Sequence, residues 1–189
     1  MSVISWNCRG LGHPRAAQVL LDLVNHKKPH FLFLIETLSY RDRLESLKGQ
    51  LGFDHVFIVD RSRRSGGLAW FWRKSDQVEC LQFNQNLIDV VVEVRDLGKW
   101  RTTGFYGLPS SLHGKDSWNL LRLIASTSNL PWVCVGDFND ILSSEEKRGG
   151  RMRPNWMIQG FRGVVRDAGL QDIGLEGYPF TWERSRGKE

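Results

Sequence analysis

Three apolar runs in this chain each end on a side chain that carries a carboxylate or an amide. Ile4-Ser5-Trp6 leads to Asn7, Phe31-Leu32-Phe33-Leu34-Ile35 to Glu36, and Val133-Cys134-Val135-Gly136 to Asp137, with Asn139 two residues on. Short apolar runs bounded by turn residues read as strands. The unbroken run 31–35 predicts a strand covered on both faces. Ala17, Leu20, Leu21 and Val24 recur at helical spacing and predict a helix over 16–25, with Pro29 beyond its end. Leu44, Leu47 and Leu51 predict a second helix over 41–51. Strands are predicted at 56–59, 67–72, 78–83 and 100–106. At 88–94, Ile88, Val90, Val92 and Val94 alternate with Asp89, Val91 and Glu93, which predicts a strand with one wetter face. Helices over 117–126 and 156–167, a capping box at Ser143-Ser144-Glu145-Glu146 and a strand beginning at Phe180-Thr181-Trp182 complete the reading. Mixed strands and helices in this order predict an α/β or α+β sandwich. The chain has neither the G-x-G-x-x-G nor the Walker A glycine loop of a doubly wound nucleotide fold.

At 189 residues the chain is expected to form one domain with a substantial core. Lys and Arg number 26 against 21 Asp and Glu, a formal charge of +5 that permits a polyanionic partner without requiring one. No apolar run reaches the length of a membrane span. No secretory signal is visible, and Cys8, Cys80 and Cys134 are odd in number and widely spaced. Reduced thiols in an intracellular protein are the expectation.

Asn7, Glu36 and Asp137, delivered to the ends of strands, suggest one polar site at a common sheet edge. Oxygen donors of this kind suit Mg2+ and phosphate chemistry. Glu36 is the natural metal ligand, Asn7 can offer its amide to metal or phosphate, Asp137 can serve as base, and Asn139 as a neutral donor. Tyr106, in Gly104-Phe105-Tyr106-Gly107, adds a hydroxyl. Each has a plainer reading: Asn7 as a turn residue, Glu36 as a solvated or helix-entry carboxylate, and Asp137 with Asn139 as an Asx-turn or helix cap. Their shared placement at strand ends is what favours an active site.

Five segments, taken in order, resemble motifs of the endonuclease/exonuclease/phosphatase family. They are Ser5-Trp6-Asn7-Cys8-Arg9-Gly10, Ile35-Glu36-Thr37, Gly66-Gly67-Leu68-Ala69, Phe105-Tyr106-Gly107 and Gly136-Asp137-Phe138-Asn139. More narrowly, Asp137-Phe138-Asn139-Asp140-Ile141-Leu142 through Glu146-Lys147-Arg148-Gly149-Gly150-Arg151 is similar to the endonuclease domain of plant LINE-type (non-LTR) retrotransposons. So are Gly169-Leu170-Gln171-Asp172 and Tyr178-Pro179-Phe180-Thr181-Trp182. The resemblance implies a four-layer sandwich of two mainly antiparallel sheets flanked by helices, and a Mg2+-dependent phosphodiester hydrolase, with Mn2+ as a substitute ion. It places Asn7 and Glu36 at the metal and scissile phosphate, Tyr106 on the phosphate, Asp137 on the water and Asn139 on the transition state. The partner it implies is DNA, cut by a monomer in the nucleus, in a full-length relative fused to reverse transcriptase.

The chain departs from the family in one respect. The family's last motif, Ser-Asp-His, has no counterpart, because no His follows His113. The expectation is therefore a domain truncated before its last strands and weak or inactive. A catalytically dead nucleic-acid-binding remnant is the alternative, and a nuclease or phosphatase acting on abasic DNA, RNA or a phosphoinositide a third reading. Arg9, Arg63, Arg64, Lys147, Arg148, Arg151 and Trp182 are the candidate nucleic-acid contacts, the basic clusters being solvated surface on the plainer reading.

Overall fold

The structure is a computed structural model and describes residues 1–62, 66–73, 77–94, 98–108, 114–174, 176–178 and 180–181. Arg63, Arg64 and Trp182 lie outside the described residues. The chain packs as two compact units, Met1–Gly107 with Asn129–Phe138, and Leu108–Ser128 with Asn139–Glu189.

The first unit holds eight strands in two four-stranded mixed sheets. In one sheet, β1 (Val3–Asn7) runs parallel to β2 (Phe31–Ile35), and β2 pairs antiparallel with β4 (Leu68–Trp72), which pairs antiparallel with β3 (His55–Val59). In the other, β5 (Gln77–Asn84), β6 (Leu87–Val94) and β7 (Gly98–Tyr106) form an antiparallel meander. The strand β8 (Trp132–Asp137) joins β7 in parallel. With four α-helices along the chain, this is the α/β sandwich of two mainly antiparallel sheets that the sequence predicts.

Every residue of β2 is buried, as its unbroken apolarity predicts. On one face Leu32 and Leu34 meet Leu20 and Val24 of α1 (Pro14–Lys27) and Leu44 and Leu47 of α2 (Arg41–Gln50). On the other, Phe31, Phe33 and Ile35 join Trp70, Ile88, Val90 and Val92 in the core between the sheets. Each such side chain contributes about 1.5–3 kcal/mol when fully buried. The sheets approach most closely where Gly104 faces Phe33, since a Cβ on Gly104 would lie 2.5 Å from the ring. Gly104→Ala is expected to overpack this contact and cost about 1–3 kcal/mol, read as a lower urea midpoint at unchanged slope.

Helix α1 begins two residues before its predicted start. Pro14 occupies the first turn, where its fixed φ suits a helix and its missing N–H costs nothing, and the His13 ring accepts from the Arg15 N–H at 3.2 Å. The predicted wetter face of β6 is corrected at Asp89. That carboxylate is fully buried, paired with Arg101 of β7. Phe180 and Thr181 are not in a strand.

In the second unit, α3 (Gly114–Ala125) and α4 (Asn155–Asp167) pack on each other, with Gly160 facing the Trp118 ring. Ser143 caps a short 3-10 turn at 144–146 by accepting from the Glu145 N–H. The Glu146 carboxylate reaches back to the Leu142 N–H, so the predicted capping box forms with its return bond one residue early.

Candidate active site

The two parallel strand pairs, one in each sheet, bring four side chains together. In the register of β1 and β2, Asn7 stands opposite Ile35, so Glu36 follows directly. In the register of β7 and β8, Tyr106 stands opposite Asp137. The Asn7 amide nitrogen donates to Glu36 Oε1 at 3.0 Å and to Asp137 Oδ2 at 3.0 Å. The Tyr106 hydroxyl donates to Glu36 Oε1 at 2.6 Å. All four residues are half-buried. Two carboxylates from opposite sheets thus share one amide, and Asn7 Oδ1 is occupied by the Arg9 N–H at 3.2 Å.

Glu36 is held in a backbone conformation that residues other than glycine rarely adopt, with φ of 53°. Such a residue costs on the order of 1–3 kcal/mol and persists only where its surroundings fix it. Here they do. The Cys8, Gly10 and Leu11 N–H groups donate to the Ile35, Glu36 and Thr37 carbonyls at 3.0, 2.8 and 2.9 Å, and Thr37 N–H donates to the Gly67 carbonyl at 3.0 Å. The Cys8 thiol sits behind this loop, donating to the Ile35 carbonyl at 3.2 Å. Burial pushes its pKa up to about 12, so it is a packed donor and not a nucleophile. Gly67, at φ of 92°, has no room for a side chain: a Cβ would lie 2.4 Å from Thr37 Oγ1. Cys8 and Thr37 therefore support the site, a role visible only once the loops are paired.

Asp137 is aimed by Gly136, where a Cβ would meet the Phe105 carbonyl oxygen at 1.9 Å. The Gly107 N–H donates to the Asp137 carbonyl at 2.8 Å, and Phe138 stacks on Phe105 with ring centroids 5.4 Å apart. Burial, then the hydrogen bond to Glu36, raises the Tyr106 phenol above its ordinary range, while Arg9 opposes the shift. Tyr106 therefore stays protonated and donating at neutral pH. Arg9 is exposed beside the site, at φ of 48°.

The donor set fits a hard divalent cation. Mg2+ takes one or two carboxylates and keeps several waters, and Glu36 and Asp137 supply two carboxylates that face one amide. Among the described residues no cluster of three His, Cys, Asp or Glu offers a softer centre.

In the second unit Asn139 also has a positive φ, 53°. Its carbonyl accepts from the Arg153 guanidinium, which pairs with Asp140 at 2.9 Å, while Trp118 Nε1 donates to the other Asp140 oxygen at 2.8 Å. Arg153 is thus an anchor of the loop that carries Asn139. Lys147, Arg148 and Arg151 are exposed, with the Arg148 guanidinium 5.1 Å over the Phe180 ring.

The family model for the endonuclease/exonuclease/phosphatase family matches residues 4–188. The chain belongs to this family. No curated protein matches it in sequence. Among solved structures, this family member is similar to the human Nocturnin catalytic domain at 17% identity and a TM-score of 0.57, over 75% of this chain and 64% of that one. It is similar to the endonuclease domain of TRAS1, a telomere-specific non-LTR retrotransposon, at 14% identity and a TM-score of 0.66, over 92% and 73%. It is also similar to the 3′-5′ exonuclease NExo from Neisseria meningitidis at 16% identity and a TM-score of 0.64, over 88% and 71%. The chain spans less than two thirds of the Nocturnin structure, and identities this low speak to the fold alone.

Proposed function

We propose that the chain forms a single endonuclease-type domain that nicks DNA by metal-dependent phosphodiester hydrolysis, of the kind found in LINE-type retrotransposons. One observation carries the reading: Glu36 and Asp137, from different sheets, accept from the same Asn7 amide, with the Tyr106 hydroxyl on Glu36. The motif resemblance through Asp137–Arg151 supports the retrotransposon assignment. The nucleus is then the place of action and DNA the partner, the full-length relative carrying reverse transcriptase as well.

Glu36 and the Asn7 amide would hold Mg2+ or Mn2+. When bound, that cation would neutralise the scissile phosphate and the leaving oxygen. Asp137 orients the attacking water and takes its proton, a role worth about 10²–10⁴ in rate. Tyr106 donates to a phosphate oxygen, and Asn139, two residues along from Asp137, stabilises the charge that develops on phosphorus. Arg9, Lys147, Arg148 and Arg151, with Arg63, Arg64 and Trp182, contact the nucleic acid. The 1–189 polypeptide carries no imidazole after His113. Loss of one transition-state donor typically costs about 10²–10³ in rate, so we propose slow cleavage by this polypeptide.

The test is nicking of supercoiled plasmid by residues 1–189. The expected result is slow, Mg2+-dependent nicking that EDTA abolishes, with DNA affinity falling steeply as salt rises. DNA binding with no nicking in Mg2+ or Mn2+ would instead establish the catalytically dead remnant. Faster cleavage of abasic DNA, RNA or a phosphoinositide would replace DNA nicking with the corresponding activity.

A further inference from the structure

The β5–β6 turn spends each of its three amide side chains on a different task. Asn84 Oδ1 accepts from the Asn86 and Leu87 N–H groups at 2.7 and 3.1 Å, an Asx-turn that closes the hairpin. Gln85 Nε2 donates across to the Asp60 carbonyl, just past β3 in the other sheet, at 3.2 Å. Asn86 Nδ2 donates to the Tyr106 carbonyl at 2.9 Å, and the Tyr106 N–H donates to the Asn86 carbonyl at 2.7 Å. Asp60 is itself tethered, because Arg41 of α2 donates to its carboxylate at 3.4 Å and to the Ile58 carbonyl at 3.1 Å. Both backbone polar groups of Tyr106 are thus tied to one residue, and that residue's neighbour is tied to the sheet that carries Glu36.

We infer that Asn84-Gln85-Asn86 is a clasp between the sheets, and that Asn86 and Gln85 are positioning residues which set where the Tyr106 hydroxyl meets Glu36. The inference rests on the active-site reading above. It extends that reading to residues that touch neither metal nor phosphate. A side chain that must span the gap between two sheets is only as well placed as that gap is fixed. The Tyr106 contact with Glu36 closes the gap from within, and the Gln85 contact with Asp60 closes it at the rim.

The experiment uses the 1–189 polypeptide labelled with 3-fluorotyrosine. The chain has three tyrosines, Tyr40, Tyr106 and Tyr178, and Tyr106→Phe assigns the Tyr106 fluorine signal by its loss. In Asn86→Ala the Tyr106 signal is expected to move while the other two hold, with a smaller move in the same direction for Gln85→Ala. In nicking assays Asn86→Ala should lower kcat about tenfold to a hundredfold with little change in KM, since displacements near 1 Å cost that much. It should add nothing on the Tyr106→Phe background. An unmoved Tyr106 signal in folded Asn86→Ala, or losses that multiply with Tyr106→Phe, would overturn the inference. An unmoved signal in Gln85→Ala, whose exposed side chain makes folding a minor concern, would overturn the link between sheets. If wild type and Tyr106→Phe are equally inactive with Mg2+ and Mn2+, the enzymatic reading fails, while the fluorine signals still decide the clasp.

Discussion

Glu36→Gln is expected to lower metal-dependent nicking at least a thousandfold while leaving the fold intact. The substitution keeps the side chain's length and an oxygen at the Oε1 position, so the donors from Asn7 and Tyr106 at 3.0 and 2.6 Å retain an acceptor. What it removes is charge. A divalent cation gains several kcal/mol of transition-state charge stabilisation from its place in the site, and about 1.4 kcal/mol is tenfold in rate. A factor near 10³ therefore needs the loss of only about 4 kcal/mol.

Stability should move the other way. In the absence of metal, two carboxylates face the same amide across the sandwich, and their mutual repulsion is relieved when one becomes neutral. Glu36→Gln is thus expected to hold or raise the thermal midpoint measured without metal, and to lose the midpoint rise that Mg2+ or Mn2+ gives the wild type. That pairing of lost activity with kept stability marks a site built for binding. A parallel fall in midpoint and activity would make Glu36 a structural carboxylate. Wild-type rates in Glu36→Gln would remove it from the reaction.

The parts of this site that were legible in the sequence are those where apolar pattern and chemistry coincide. The run Phe31–Ile35 could be nothing but a central strand, and whatever followed it had to emerge at a sheet end; Glu36 did. The same argument placed Asn7, Tyr106 and Asp137. It did not reveal that Asn7 donates to both carboxylates, because that depends on the two sheets meeting face to face. The support around Glu36 was illegible for a similar reason. Its strain is held by backbone bonds from Cys8, Gly10 and Leu11, and backbone groups are the same in every residue. The turn at Asn84–Asn86 carries ordinary loop residues, and only its neighbours give them work. Asp89 misled outright, because a charge within an alternating strand normally faces water. Its partner sits on the next strand, so the pairing needed the register of β6 and β7.

That pair is the basis of the largest expected change in stability. Arg101 and Asp89 are both fully buried, bonded through Nε to Oδ1 at 2.9 Å and through the terminal nitrogen to Oδ2 at 2.7 Å. Thr103 donates to Asp89 Oδ1 at 2.7 Å, Gln82 to Oδ2 at 2.9 Å, and Trp132 Nε1 to Thr103 Oγ1 at 2.8 Å. The Trp132 ring lies under the guanidinium at 4.9 Å. Asp89→Asn keeps the shape and leaves Arg101 charged, buried and without its counterion. Breaking a buried pair from one side costs about 3–5 kcal/mol. For a protein of this size that is a fall in midpoint of roughly 6–20 °C. Neutralising both partners in Asp89→Asn with Arg101→Met should recover part of the loss, since no lone charge remains buried. The network also joins the strands that end at the site, because Arg101 and Thr103 lie on β7 below Tyr106, and Trp132 begins β8, which ends on Asp137. Asp89→Asn should therefore lower activity below the unfolding range as well. Equal midpoints for wild type and Asp89→Asn would show that the carboxylate contributes packing alone, and a double variant worse than the sum of the singles would show that the charges stabilise the fold as a pair.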